Sequence, residues 1–255
     1  MSKFKKLFAI ISICLIAICT SVAIISVKAE SEYDDWEFFS GVNQSIMQRH
    51  AHPRKLLNVP TYRQAESYTS GVACVESVLR YAKYDFDIRE NNLARALGAS
   101  EEKGTSSQKM AGYLNAVRYN NTEEQQFQAT VKTEMTLDSL KSELDQGHPV
   151  ICDIQAWDWD ENEEYTMDLD YSNEWYCDHW VVAIGYNKDN IFFMDPSTGA
   201  NYTYIPNDKL ISRWHAYEID ENDQNIKTFQ MGIVVEYKGG EPDCEKYKDA
   251  FYGLM

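Results

Sequence analysis

Residues 64–79 read QAESYTSGVACVESVL and combine a polar approach with the start of an apolar segment. From position 70 onward the apolar residues recur at spacings of three and four, which predicts an amphipathic helix that begins at Ser70. The predicted buried face consists of Val72, Val75, Val78, Leu79 and Ala82. A small hydroxyl residue therefore occupies the first turn of a buried helix, where unpaired backbone N–H groups favour an anion.

A second motif, HWVVAIGYNKDNIFFMDPSTG, spans residues 179–199. Two apolar runs separated by a polar turn predict strands at 179–186 and 191–194. Such a hairpin brings Asp195 back beside the start of the strand that His179 opens. A carboxylate in that position can bond the imidazole and fix its tautomer.

The remaining elements place helices in the first half of the chain and strands in the second. Thr136 and Asn207 are the predicted N-caps of the last two helices. The predicted helices cover 87–97, 106–117, 136–146 and 207–214, and the predicted strands cover 56–60, 129–132, 149–155 and 229–237. This order indicates an α+β domain with an antiparallel sheet.

The two motifs together contain the groups that peptide hydrolysis by a side-chain nucleophile needs. Ser70 is the candidate nucleophile at a helix N-terminus, His179 the candidate base and Asp195 its orienting carboxylate. Gln64, six residues before Ser70, is a candidate donor to the oxyanion. Gly71 would leave room for a substrate backbone.

Residues 64–79 and 179–199 resemble the double-glycine, bacteriocin-processing peptidases, which form cysteine peptidase family thirty-nine. The resemblance extends over about residues 56–237 and rests on both spacings, glutamine to nucleophile and histidine to aspartate. It implies a papain-like fold and cleavage of peptide bonds. It also implies Gln64 as the oxyanion donor, Ser70 at the nucleophile position, His179 as the base and Asp195 as its orienter.

Ser70 departs from that family, which carries cysteine at this position. A thiol can be tuned to ionise below neutral pH at a helix N-terminus beside a histidine, whereas a hydroxyl needs a base placed for concerted proton removal. Three explanations stay open: a naturally silenced, peptide-binding pseudopeptidase, a peptidase disarmed by substitution, or a working serine enzyme of acyl-transfer type. Cys74 lies one helical turn further on, about 5 Å too far to substitute.

Each of these residues also has an ordinary structural explanation. Ser70 could cap a helix, His179 could be a buried strand histidine and Asp195 could start an Asp-Pro turn. Their joint occurrence, in this order and spacing, favours the site.

The length of 255 residues and the 44% hydrophobic content fit one globular domain. Lysines at the start, an apolar run over 8–27 and a small-residue cleavage site predict an export segment. The predicted parts are a signal peptide or N-terminal membrane anchor (1–29), a polar spacer (30–55), a papain-like peptidase domain (56–238) and a C-terminal tail (239–255). We therefore expect a secreted or extracytoplasmic protein that meets a membrane only through its N-terminal segment.

The net charge of −16 disfavours nucleic acid and suits a peptide or protein substrate of basic character. No nucleotide, flavin or haem motif is visible, so no cofactor is expected. His50 and His52 are interpreted as linker residues and the acidic loop at 158–164 as solvated, so no metal is expected either. Four cysteines follow the N-terminal segment: Cys74 is a predicted buried thiol, and Cys177 with Cys244 is the favoured pair of three possible pairings.

Overall fold

The computed structural model of the chain describes residues 53–82, 89–118, 125–156, 171–198, 202–219 and 224–239. All of them lie in the second of the two units into which the chain divides, residues 52–255. No helix within these ranges is both long enough and apolar enough to cross a membrane.

Five α-helices are present among the described residues: α1 (Ser70–Tyr81), α2 (Glu90–Leu97), α3 (Ser107–Ala116), α4 (Leu137–Asp145) and α5 (Asn207–Arg213). In α1 every residue except Arg80 is buried. A helix enclosed on nearly all sides has little room for large side chains, which explains the Gly, Ala and Ser residues in its sequence. A buried helix of this kind can hold its first residue in a fixed position.

The strands are β1 (Lys55–Leu56), β2 (Phe127–Lys132), β3 (Val150–Gln155), β4 (Asp178–Tyr186), β5 (Asn190–Met194), β6 (Thr203–Pro206), β7 (His215–Ile219), β8 (Asn225–Phe229) and β9 (Gly232–Tyr237). Seven of them form an antiparallel sheet in the order β2-β9-β3-β4-β5-β6, with β1 also paired to β4, and β7 and β8 form a separate ladder. The central strands β3 and β4 are almost wholly buried. Helix α1 packs on β4, so the predicted α+β architecture is confirmed.

Two glycines allow the close approaches that this packing requires. A Cβ at Gly71 would lie 2.9 Å from the Cβ of Thr105 and 3.0 Å from the sulfur of Met110. A Cβ at Gly185 would lie 2.3 Å from the carbonyl oxygen of Lys55, where β1 pairs with β4 and where the β4–β5 ladder has a bulge. Gly71 therefore permits packing against Thr105 and Met110 within the protein, whereas the sequence predicts that it leaves room for a substrate backbone.

Several predicted boundaries differ from the structure. Strand β1 is shorter than the predicted 56–60. The predicted strand 229–237 corresponds to β9 and the last residue of β8, with Gln230 in a left-handed conformation (φ 42°) between the two strands. The sequence predicts neither β6, β7 nor the rest of β8. Residues 83–88 lie outside the described ranges, so the predicted start of α2 at 87 is untested.

The two predicted helix caps had different outcomes. Thr136 caps α4 and forms a capping box with Ser139, as the sequence predicts. Asn207 is already inside α5, and Pro206 stands at the cap position. The Asn207 side chain instead donates to the carbonyl oxygen of Lys188 (2.9 Å), which ties α5 to the β4–β5 turn.

Candidate active site

His179 and Asp195 are brought together by the β4–β5 hairpin, in which Val182 lies opposite Met194. Their side chains meet with 2.8 Å between Nε2 of the imidazole and Oδ1 of the carboxylate. His179 is almost fully buried, and 17% of the Asp195 side chain is exposed. The predicted juxtaposition of these two residues is therefore present in the structure.

Ser197 donates to the same oxygen of the Asp195 carboxylate that His179 bonds. Its backbone N–H and its hydroxyl both donate to Oδ1 of Asp195, at 2.9 and 2.7 Å. Burial disfavours the charged form of Asp195, but the hydrogen bond and charge of His179 and the donors of Ser197 outweigh it and lower the pKa of this carboxyl. Asp195 thus stays ionised at neutral pH and can hold the imidazole ring.

Ser70 is the first residue of α1 and is 94% buried, with 6% of its surface exposed. Its Oγ accepts a long hydrogen bond from the backbone N–H of Trp180, the residue after His179 (3.4 Å). Thr69 occupies the cap position of α1 without a side-chain cap bond. Ser70 is therefore not the N-cap, which was its ordinary structural explanation. Position 70 therefore lies at the start of a buried helix, against the strand that carries His179.

The hydrogen bond to Asp195 determines which ring nitrogen of His179 can serve position 70. Because Nε2 is bonded to the carboxylate of Asp195, any proton exchange between His179 and a group at position 70 would have to use Nδ1. The unpaired N–H groups and dipole of the first helical turn stabilise an anion there. A helix N-terminus beside a histidine and its carboxylate suits a thiolate–imidazolium pair. In this chain, however, the side chain at position 70 is the hydroxyl of Ser70.

Gln64 has a different orientation from the one its predicted role needs. Its Nε2 donates to the carbonyl oxygens of Glu66 (2.8 Å) and Ser67 (3.2 Å), so both amide hydrogens are engaged in the approach to α1. Its backbone N–H donates to the carbonyl oxygen of Pro196, which joins this loop to the residue after Asp195 (2.9 Å). A role as oxyanion donor stays a prediction, and it requires the amide to release one of its two carbonyl partners.

The cysteine predictions can be assessed only in part. Cys74 is fully buried, as predicted, and this burial together with the nearby charge of Asp195 raises the pKa of its thiol well above the ordinary value. Cys244 lies outside the described residues, so its pairing with Cys177 stays a prediction.

The histidine pair at 50 and 52 and the acidic loop at 158–164 also lie outside the described residues. Within the described ranges, no group of three or more His, Cys, Asp or Glu side chains could hold a metal ion.

A cleft of about 900 Å³ opens beside Ser70. One part of its wall comes from the approach to α1 and from the α2–α3 connection. The other part, which we call the sheet side, comes from β3, β4 and the β7–β8 ladder and carries three carboxylates that sequence reasoning missed: Asp153, Asp178 and Glu218. The one available signal was Asp153, an acid inside the apolar strand VICDIQ, because a charged residue in a buried run usually has a specific reason.

Burial and the charges of neighbouring carboxylates raise the pKa values of Asp153 and Asp178. Burial and the nearby charges of Asp178 and Glu218 raise the pKa of Asp153 well above its ordinary value. Partial burial, to which the charge of Glu218 adds, raises the pKa of Asp178 to about 6, although Gln155 donates a hydrogen bond to it. Ionisation of Asp153 and Asp178, on the sheet side of the cleft, is therefore unfavourable in the folded protein.

The raised pKa of Asp178 makes stability depend on pH in a defined direction. The folded state holds the proton of Asp178 up to pH of about 6, whereas an unfolded chain releases it near pH 3.9, so this contribution is complete below about pH 4 and is lost as the pH rises through 6. Asp178→Asn should therefore gain stability relative to the natural chain between pH 4 and 7, by on the order of 1 kcal/mol after allowance for solvent screening. Urea unfolding at several pH values measures the difference, and Glu134→Gln controls for loss of a charge outside the cleft. A difference that does not change with pH would contradict this electrostatic description.

Comparisons with known proteins add to this geometry. A model of the Peptidase_C39 like family matches residues 56–219. No curated protein matches the chain.

The chain is also similar to solved structures, each at low identity. One is a protein of Bacillus anthracis assigned as a C39-like peptidase (18% identity, 72% of this chain and 98% of that one, TM-score 0.47). Another is a double glycine motif protease from an AMS/PCAT transporter, in complex with the leader peptide (16%, 72% and 96%, 0.47). A third is the peptidase domain of Streptococcus ComA, a bi-functional ABC transporter of a quorum-sensing pathway (13%, 71% and 99%, 0.46).

Proposed function

Since this chain belongs to the C39-like peptidase family, we propose that it is a peptide-binding domain of peptidase type whose hydrolytic step is disarmed at Ser70. The proposal retains the site of Gln64, Ser70, His179 and Asp195 as the place where a peptide carbonyl binds. It assigns the loss of hydrolysis to the replacement of a thiol by a hydroxyl.

The observation that carries the proposal is the contrast between Ser70 and the residues around it. The His179–Asp195 pair is formed at 2.8 Å, Ser197 supports it, and position 70 lies at the N-terminus of a buried helix. These are the features that lower a thiol pKa and generate a thiolate. A hydroxyl gains much less from them, since it does not ionise near neutral pH and needs concerted proton removal in a site shaped for oxygen.

The cleft supports binding of an extended peptide. It borders Ser70 directly, and its volume of about 900 Å³ lies in the range of ligand sites. Aromatic side chains that can contact a peptide, Trp175, Tyr176 and Tyr217, contribute to its wall. Peptide binding without cleavage therefore requires no feature beyond those present.

We also propose that the domain acts outside the cytoplasm. The basic start, the apolar run and the small-residue cleavage site of residues 1–29 support export or anchoring. An acidic surface, at a net charge of −16, is compatible with basic peptide partners in that compartment.

The natural chain and its His179→Ala variant test the proposal together. We expect neither to hydrolyse a mixed peptide pool above the uncatalysed rate, and both to retain measurable peptide binding, because His179 serves the chemical step. Mass spectrometry of the pool measures hydrolysis, and fluorescence anisotropy with labelled peptides measures binding. Turnover by the natural chain that disappears in His179→Ala would contradict the proposal and favour a serine-nucleophile enzyme.

A further inference from the structure

Three carboxylates lie on the sheet side of the cleft that Ser70 borders. Asp153 belongs to β3, Asp178 begins β4 and Glu218 belongs to β7. Asp153 lies directly opposite Trp180 in the β3–β4 ladder, and Trp180 donates its backbone N–H to Ser70. Directly opposed residues have Cβ atoms about 4.5–5.5 Å apart. Asp153 is therefore the direct neighbour of the residue whose N–H bonds Ser70.

The three acids differ in how the protein satisfies them. Both carboxylate oxygens of Glu218 accept from the backbone N–H of Ser107, at the start of α3 (3.4 and 3.2 Å). Asp178 accepts from the side-chain amide of Gln155 and remains exposed at the rim. Asp153 is 97% buried, yet its Oδ1 has no hydrogen-bond partner among the described residues. Backbone N–H groups of His179 and Ile154 hydrogen-bond to this carboxyl, so Oδ1 is its one oxygen without a partner among the described residues, and a bound donor could satisfy it.

The charge at this end of the cleft is not compensated within the described part of the chain. None of the three acids takes part in the ion pairs found among the described residues, which are Lys132–Glu143, His148–Glu143 and His179–Asp195. The lysines that line the cleft come from the α2–α3 connection (Lys103) and from α3 (Lys109), and Glu101 and Glu102 of the same connection also line it. No ion pair among the described residues therefore joins a basic side chain to these three carboxyl groups, and the raised pKa values of Asp153 and Asp178 show that ionising them in the cleft is unfavourable.

The chemistry of the cluster selects an organic cation. A lysine ammonium or an arginine guanidinium brings a positive charge together with several N–H donors on a long apolar stem. Such a group would neutralise the carboxylates and supply the donor that Oδ1 of Asp153 lacks.

From these observations we infer that the cleft recognises a lysine or arginine side chain of the bound peptide, close in sequence to the carbonyl at Ser70, through Asp153, Asp178 and Glu218. The inference rests on the proposed function, since it assumes that a peptide occupies the cleft. It assigns the substrate class as peptides with a basic residue near the site of cleavage or binding.

Sets of peptides that differ at a single position test this inference on the full chain with its natural Ser70. Labelled octapeptides on an alanine–glycine background carry arginine, lysine, citrulline, norleucine or glutamate at each position in turn. We expect arginine or lysine at one position to bind at least tenfold more tightly than citrulline, by fluorescence anisotropy. In Asp153→Asn/Asp178→Asn the preference should fall to within about twofold, whereas Glu134→Gln/Asp138→Asn, which removes two exposed acids outside the cleft, should preserve it.

The outcomes separate this inference from the function on which it rests. Peptide binding without any preference for a basic residue, or a preference that survives Asp153→Asn/Asp178→Asn, would overturn the inference and leave the proposed function standing. Absence of binding by every peptide would overturn both. Circular dichroism checks that the double variant folds, and Asp178→Asn alone, at the exposed rim, should already weaken the preference severalfold if the buried substitution prevents folding.

Discussion

Ser70→Cys should raise the rate of peptide hydrolysis by the full-length protein by about 10³-fold or more over the natural chain. The thiol would lie at the N-terminus of α1, against the strand of His179, where an anion is stabilised by the unpaired N–H groups and the helix dipole. Because Nε2 of the imidazole is bonded to Asp195, Nδ1 would have to accept the thiol proton. The change replaces one atom and leaves the site geometry in place.

Mass spectrometry of a peptide pool measures this gain, with Arg and Lys near the cleaved bond represented in the pool. Ser77→Cys is a matched control, because it places a new thiol in the same helix, fully buried and away from the cleft. The control should not acquire activity. No gain with Ser70→Cys, in a protein that folds and binds peptides, would show that the site has lost more than its nucleophile.

His179→Ala in the Ser70→Cys background should abolish that gain and return the rate to that of the natural chain, a loss of about 10³-fold or more. The imidazole is the base that generates the thiolate and the acid that protonates the leaving amine, so its removal eliminates both proton transfers. His148→Ala is the matched control, since His148 contacts Glu143 away from the cleft and should leave the rate within about twofold.

Asp195→Asn gives an intermediate test of the same pair. The amide keeps an acceptor for the Nε2–H of His179 but removes the charge that stabilises an imidazolium. We expect a smaller loss in kcat than in His179→Ala, because the imidazole can still transfer protons while its imidazolium form loses the carboxylate charge that stabilises it. Equal activity of Ser70→Cys alone, with His179→Ala and with Asp195→Asn would mean that His179 and Asp195 take no part in proton transfer.

The family, the α+β fold and the His179–Asp195 contact could all be predicted from the sequence, for physical reasons. The family prediction is confirmed by the match over residues 56–219. A hairpin with a short turn has a fixed register, so the distance along the chain determines that Asp195 returns to His179. An apolar periodicity that begins at position 70 likewise determines where α1 starts.

Features that depend on contacts between distant elements could not be predicted in this way. The packing of Gly71 against Thr105 and Met110 joins segments more than 30 positions apart. Glu218 reaches the cleft only because β7 forms a separate ladder with β8 and because α3 donates to its carboxylate. The orientation of the Gln64 amide is set by two local carbonyl groups, for which a sequence pattern gives no signal.

The most direct test of the central claim, that a thiol-activating site survives around Ser70, is the rate of iodoacetamide alkylation of Ser70→Cys against pH, with and without His179→Ala. Cys74 serves as an internal control, since burial raises the pKa of its thiol well above the ordinary value. We predict rapid labelling well below pH 8 that collapses in the His179→Ala background, because the imidazole and helix N-terminus together lower the thiol pKa. Slow labelling that follows an ordinary thiol pKa near 8.5, unchanged by His179→Ala, would contradict the account.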